Sequence, residues 1–105
     1  MVIIMNQQLD ADGKERLVEI LTAELRVLRA KANISQQELA DRMGVSRQTY
    51  GMIETRKQRM GWNNYMALLF LFISNKGTAD IIHRIGAYPP ELQQYIQLTD
   101  EQTVN

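Results

Sequence analysis

The side chains best suited to chemistry lie together in Ser46-Arg-Gln-Thr-Tyr-Gly-Met-Ile-Glu54. Arg47 carries a fork of donors that matches O6 and N7 of guanine, and Gln48 carries an amide that matches N6 and N7 of adenine. The thioether of Met52 suits a thymine methyl. On a helix turning about 100° per residue, Arg47, Gln48, Gly51, Met52 and Thr55 share one arc. Ser46, Tyr50 and Ile53 fall on the other side. The second set would pack inward, with the Tyr50 hydroxyl at the rim, and the first would face a ligand with base edges. Gly51 has no side chain, which leaves room for close approach at a helix cost of about 1 kcal/mol relative to alanine.

Charge supports this reading without deciding it. Arg42, Arg47, Arg56, Lys57 and Arg59 lie between positions 41 and 59 against only Asp41 and Glu54, on a chain whose 12 basic and 12 acidic residues cancel. A local basic patch neutralises phosphates even on a neutral protein. The same residues would also serve as a solvated charged surface. Other chemistries find little support. The 105 residues include no cysteine and a single histidine, His83, so neither a disulfide framework nor a metal site is expected. There is no Ser/His/Asp set and no glycine-rich phosphate loop, so the expectation is no enzyme and no cofactor. The apolar runs Met1–Met5 and Met66–Ile73 are too short to span a bilayer. Met1–Met5 also lacks the basic flank of a secretory signal, so a cytoplasmic protein with no membrane partner is expected.

The elements that must hold this segment read as helices throughout. Asp12-Gly13-Lys14-Glu15 resembles an acidic helix start, and Leu17, Ile20, Leu21, Leu25, Leu28 and Ala32 form an amphipathic stripe. Together they predict a first helix over about 13–31. Ser35-Gln-Gln-Glu38 is a capping box that opens a second helix ending at Gly44. Ser46 caps a third helix through Glu54. Trp62–Ile73 predicts a fourth, apolar nearly all round, which must be covered on more than one side. Thr78 and Gly86 bracket a fifth, and Pro90 opens a sixth running to about Leu98. Trp62 and Tyr65 are expected as a hydrophobic plug, and His83 as a structural residue. No strand alternation is present, and the class is all-α.

Two short capped helices joined by a turn at Gly44 are the pattern of a helix-turn-helix. From Leu25 to about Phe72 the chain resembles the DNA-binding domain of phage repressors and Cro, the XRE-type family. The matching residues are Leu25 and Leu28, Ser35-Gln36, Glu38-Leu39-Ala40, Gly44-Val45-Ser46, Ile53-Glu54 and Lys57. The resemblance implies a lambda-repressor-like helix-turn-helix bundle with an N-terminal extension and additional C-terminal helices. It implies base contacts from Arg47, Gln48 and Met52. Backbone contacts are expected from Gln36, Ser46, Thr49, Arg56, Lys57 and Arg59. It also implies a structural pair between Arg29 and Glu54. The chain departs from the family at Thr55-Arg56, where glycine usually follows the residue after the glutamate, and at Met60, where proline is common.

The expected organisation is an apolar arm at 1–12, a DNA-binding domain at 13–74, a helical extension at 75–98 and a polar tail at 99–105. The extension carries Ile81, Ile82, Ile85, Tyr88, Leu92, Tyr95, Ile96 and Leu98. This is enough apolar surface either to form a homodimer or to cover the fourth helix. The expected function is a sequence-specific transcriptional regulator, a repressor acting on double-stranded DNA. An antitoxin-type autorepressor that holds a toxin, and a helical protein-interaction module, are the alternatives.

Overall fold

The computed structural model describes residues 9–97. The apolar run Met1–Met5, Leu98 and the polar tail lie outside them. Among the described residues the chain is all-helical: α1 (Ala11–Ala23), α2 (Leu25–Ala32), α3 (Gln36–Met43), α4 (Arg47–Glu54), α5 (Trp62–Ile73), α6 (Lys76–Ile85) and α7 (Pro90–Ile96).

The single first helix expected over 13–31 is two helices broken at Glu24, whose backbone N–H bonds to Leu21 and Thr22 oxygens. No proline or glycine marks the break. Thr22 contributes to it by donating its hydroxyl to the Val18 carbonyl at 2.7 Å, a back-bond that bends helices. The bend lets Leu17, Val18 and Leu21 on α1 and Leu25 and Leu28 on α2 all reach one core. The start of α1 also differs from expectation. Asp10, not Asp12, is the cap, accepting from the Gly13 N–H at 2.8 Å.

Helix α5 runs through the centre, with Tyr65, Leu68, Leu69 and Phe72 buried. Helices α1, α3 and α6 pack on it. The start of α6 lies earlier than Thr78: Asn75 is its cap, accepting from the Thr78 N–H at 3.1 Å. Thr78 is instead fully buried and donates to the Phe72 carbonyl at 2.6 Å, sealing the α5–α6 corner. Ile81, Ile82, Ala87 and Leu92 join the main core, so most of the apolar surface expected for dimerisation covers this chain's own helices. Tyr95 and Ile96 remain exposed.

Four helix ends share one geometry. After α2, α3, α4 and α6, a residue with positive φ turns the chain, and its own N–H and that of the next residue close back on the last turn. These residues are Asn33, Gly44, Arg56 and Gly86. After α4, the Lys57 N–H reaches the Met52 carbonyl at 2.8 Å and the Arg56 N–H reaches Ile53 at 3.1 Å. Glycine and asparagine tolerate this left-handed conformation, but a long side chain does so at a steric cost. Arg56 sits at φ 66 where the resembling family places glycine. Arg56→Gly is therefore expected to stabilise the fold by about 1 kcal/mol, from relief of roughly 1–2 kcal/mol of strain less a weak exposed ion pair. Urea unfolding checks it, with Arg56→Ala as the control: alanine loses the pair, keeps the strain, and should show no gain.

Candidate nucleic-acid interface

The turn between α3 and α4 follows from local chemistry. The Ser35 hydroxyl accepts from the Glu38 N–H at 3.0 Å, and the Glu38 carboxylate accepts from the Ser35 N–H at 2.9 Å. Gly44 ends α3 at φ 78, and Ser46 opens α4 by accepting from the Thr49 N–H at 3.0 Å. Three residues thus turn the chain between two eight-residue helices. Leu39 and Ala40 on α3 and Tyr50 and Ile53 on α4 lock the pair to the core.

This packing turns the other side of α4 outward. Arg47 and Gln48 stand exposed in its first turn, Met52 is half-buried one turn on, and Thr55 is exposed at its end. A Cβ built on Gly51 would meet no atom within 4 Å. Nothing within the protein therefore demands a glycine there.

Beneath this face lies a buried carboxylate. Glu54 is 8% exposed and accepts four hydrogen bonds. Arg29 donates through Nε at 2.8 Å and Nη2 at 3.1 Å, Gln36 through Nε2 at 2.8 Å and Tyr50 through its hydroxyl at 2.6 Å. The Tyr50 hydroxyl thus points into the protein and not to the rim. Gln36 passes the connection outward, because its Oε1 accepts from Arg47 Nη1 at 2.9 Å. The exposed guanidinium is joined through one amide to the buried carboxylate. Burial pushes the Glu54 carboxyl up, but the bonds from Arg29, Tyr50 and Gln36 outweigh it and hold it below its usual value. Burial and the bond to Glu54 raise the Tyr50 hydroxyl well above its own range, so it remains a donor.

The basic residues divide into two groups. Arg56 pairs with Glu19 at 3.3 Å, and Arg59 pairs with Glu15, both on α1. These two guanidiniums therefore lie along α1, opposite carboxylates far away in sequence. Arg42, Arg47 and Lys57 are exposed beside α3 and α4. The Ser46 hydroxyl is occupied by its cap and by Thr49 Oγ1 at 3.0 Å. Sequence reasoning placed Arg47, Gln48 and Lys57 on the surface. It missed the Gln36 relay and the partners of Arg56 and Arg59, because no local spacing connects them.

Residues 25–60 match a protein-family model described as Helix-turn-helix. This segment is a helix-turn-helix of the repressor and Cro type. No curated protein and no solved structure matches the chain at a significant level. The helix-turn-helix match spans α2, α3, α4 and the turn after them, and it carries the buried Glu54 network whole. Domains of this type are DNA-binding regulatory modules, and the all-helical bundle agrees with a lambda-repressor-like fold. Among the described residues, no helix is long and apolar enough to cross a membrane.

The network makes a quantitative demand on stability. A carboxyl held below its unfolded value contributes stability that is complete above that value, near 4.5, and is lost as pH falls through the folded one. Glu54→Gln is expected to cost about 3 kcal/mol at neutral pH, the lower end for breaking a buried pair, because Arg29 reaches solvent. The difference between the two proteins should narrow as pH drops from about 5 toward 3, where protonation removes the charge from the native side chain as well. Urea unfolding across that range measures it.

Proposed function

We propose that the chain is a sequence-specific transcriptional regulator, a repressor that reads the major groove with α4. The observation that carries this reading is the pairing of Arg47 and Gln48, exposed and adjacent in the first turn of α4, with Arg47 tied through Gln36 to Glu54. A guanidinium held in this way enters the groove with less conformational freedom to lose. Its remaining N–H groups suit O6 and N7 of guanine, while Gln48 suits adenine and Met52 a thymine methyl.

Backbone contacts come from the surroundings of this helix. Thr49 in its first turn and Lys57 just past its end suit phosphate oxygens. Gln36 has a second amide proton free for a phosphate at the start of α3, and Ser46 stands beside it. Arg56 and Arg59 would contribute by exchanging Glu19 and Glu15 for phosphates. The protein acts on double-stranded DNA as a homodimer. One helix-turn-helix reads only a half-site, and two half-sites a helical turn apart supply the specificity that one lacks. Occupying such an operator excludes polymerase.

Selection from a randomised duplex pool tests the reading as a whole, and recovery of a palindrome is the expected result. Recovery of no sequence at all contradicts it. On the recovered site, Arg47→Ala should cost about 1–3 kcal/mol and relax preference at one base pair. Lys57→Ala should weaken all sequences alike and reduce the salt slope by about one unit. Equal losses on specific and random DNA for Arg47→Ala would refute its base-reading role.

Gly51 gives an independent check. Alanine there meets open space and should stabilise the fold by up to about 1 kcal/mol. If the bare backbone serves close approach to the duplex, the same substitution weakens DNA binding while raising the unfolding midpoint. A variant that is both more stable and equally tight would remove that role.

A further inference from the structure

Where α1 breaks into α2, a polar groove opens beside the end of α4. It measures about 330 Å³ and is lined by Thr22, Ala23, Arg26, Glu54, Thr55 and Arg56. Two guanidiniums from distant parts of the chain thus meet at one opening. The Arg26 side chain is 71% exposed. The one carboxylate within 4 Å of it among the described residues is Glu54, whose Oε1 lies 3.6 Å from Nε, too far for a hydrogen bond. A carboxylate offers about four acceptor sites. Those of Glu54 are filled by Arg29, which donates twice, and by Gln36 and Tyr50. Arg26 is therefore a surplus cation with its donors unspent.

We propose that this groove holds one phosphate oxyanion, clamped between Arg26 and Arg56. The other donors that line it are already committed. The Thr22 hydroxyl donates to Val18 at 2.7 Å and the Thr55 hydroxyl to Gly51 at 2.9 Å. The N–H groups of Thr55 and Arg56 close back on Gly51 and Ile53. Glu54 adds little repulsion, because its side chain is 2% exposed and Arg29 balances its charge. Arg56 meets Glu19 at 3.3 Å between two exposed groups, a pair weak enough to give way. A guanidinium presents paired N–H groups that match two oxygens of a phosphate. Arg56 also reaches the groove from a left-handed corner at φ 66, so its side chain is placed there at a cost to the fold.

Phosphate oxyanions are carried both by a duplex backbone and by small phosphorylated compounds. Position favours the duplex, and in that respect the inference rests on the DNA-binding reading. The groove lies at the end of α4 and Arg47 at its start, about 12 Å apart along eight residues. A phosphate held at one end of the reading helix fixes which bases the other end meets. One wall of the groove, Thr22 and Ala23, belongs to α1, which precedes the helix-turn-helix match at 25–60. The matched segment alone does not complete the clamp.

Binding to a short random duplex across a salt series tests it. Arg26→Gln should reduce the salt slope by about one unit with an unchanged circular dichroism spectrum. Arg84→Gln, which removes an exposed cation on α6, should keep the parent's slope. Because the two arginines share one phosphate, Arg26→Gln combined with Arg56→Gln should cost less binding free energy than the two single losses added together. The arginine Nε–H signals in nitrogen-15 NMR identify the source, with inorganic phosphate and then the duplex as probes at constant ionic strength. Arg26 and Arg56 should move together and saturably with the duplex. If the duplex does not bind at all, the DNA reading fails, and saturable movement of both signals with inorganic phosphate leaves the clamp standing with a small phosphorylated ligand. An Arg26→Gln variant with the parent's slope, strictly additive losses, or signals that neither probe moves would overturn the proposal.

Discussion

The arrangement of the central helices depends on a carboxylate that is almost wholly buried. Glu54 is the last residue of α4, and its partners come from α2, α3 and α4 itself. An unpaired charge in that position would be costly to bury, so the three helices must adopt the one arrangement that brings Arg29, Gln36 and Tyr50 to it. Leucine packing alone tolerates small shifts between helices, whereas four directed hydrogen bonds do not. The angle at which α4 leaves the bundle is thereby set by polar geometry, within a core that supplies most of the burial. Because Gln36 also accepts from Arg47, the same constraint extends to the surface. The fold and the proposed reading head are in this sense one network.

Much of this was legible in the sequence because it is local. Ser35 with Glu38, Gly44 and Ser46 each act within three or four residues, and they place α3, the turn and α4 almost to the residue. Trp62–Ile73 was equally plain as an apolar run between polar stops. The pairing of Arg29 with Glu54 came from the family resemblance, and the structure shows its geometry. Sequence reasoning failed where tertiary packing decides. The break at Glu24 has no glycine or proline to announce it, and the bond of the Thr22 hydroxyl to the Val18 carbonyl that accompanies it depends on a side-chain rotamer that residue spacing does not reveal. Asn75 took the capping role expected of Thr78, because the threonine hydroxyl was drawn into the α5–α6 corner. The inward turn of the Tyr50 hydroxyl required knowing that Glu54 had other partners beside it.

The charge pattern carries a similar lesson. Five cations against two carboxylates between positions 41 and 59 suggested one basic patch. In the folded chain Glu15 and Glu19 come across from α1 to meet Arg59 and Arg56, so the local excess is smaller and lies nearer α4. Exposed pairs of this kind are worth little in free energy. Under the proposed DNA contacts they would be exchanged for phosphates at little cost, whereas Arg29 would not be available for such exchange. A neutral protein can thus hold part of its phosphate-binding capacity in weak internal pairs, at the expense of some long-range attraction.

Three positions break local rules, and they differ in what the rest of the protein offers in return. Gly51 weakens the middle of a helix with no neighbour that would clash with a side chain. Phe70 places an aromatic ring in water on a helix that had buried places for apolar groups. Arg56 occupies a left-handed corner that the chain fills with glycine or asparagine at its three other equivalent helix ends. In a sequence otherwise consistent from capping to core, such departures concentrate where selection acts on something other than stability. Gly51 lies on the outward arc of α4, where the proposed approach to a duplex would account for it. Arg56 gains only an exposed partner on α1, and that pair is too weak to account for the strain. Under the proposed DNA reading its guanidinium would exchange Glu19 for a phosphate, and that exchange, not the stability of the free chain, would account for the strained corner.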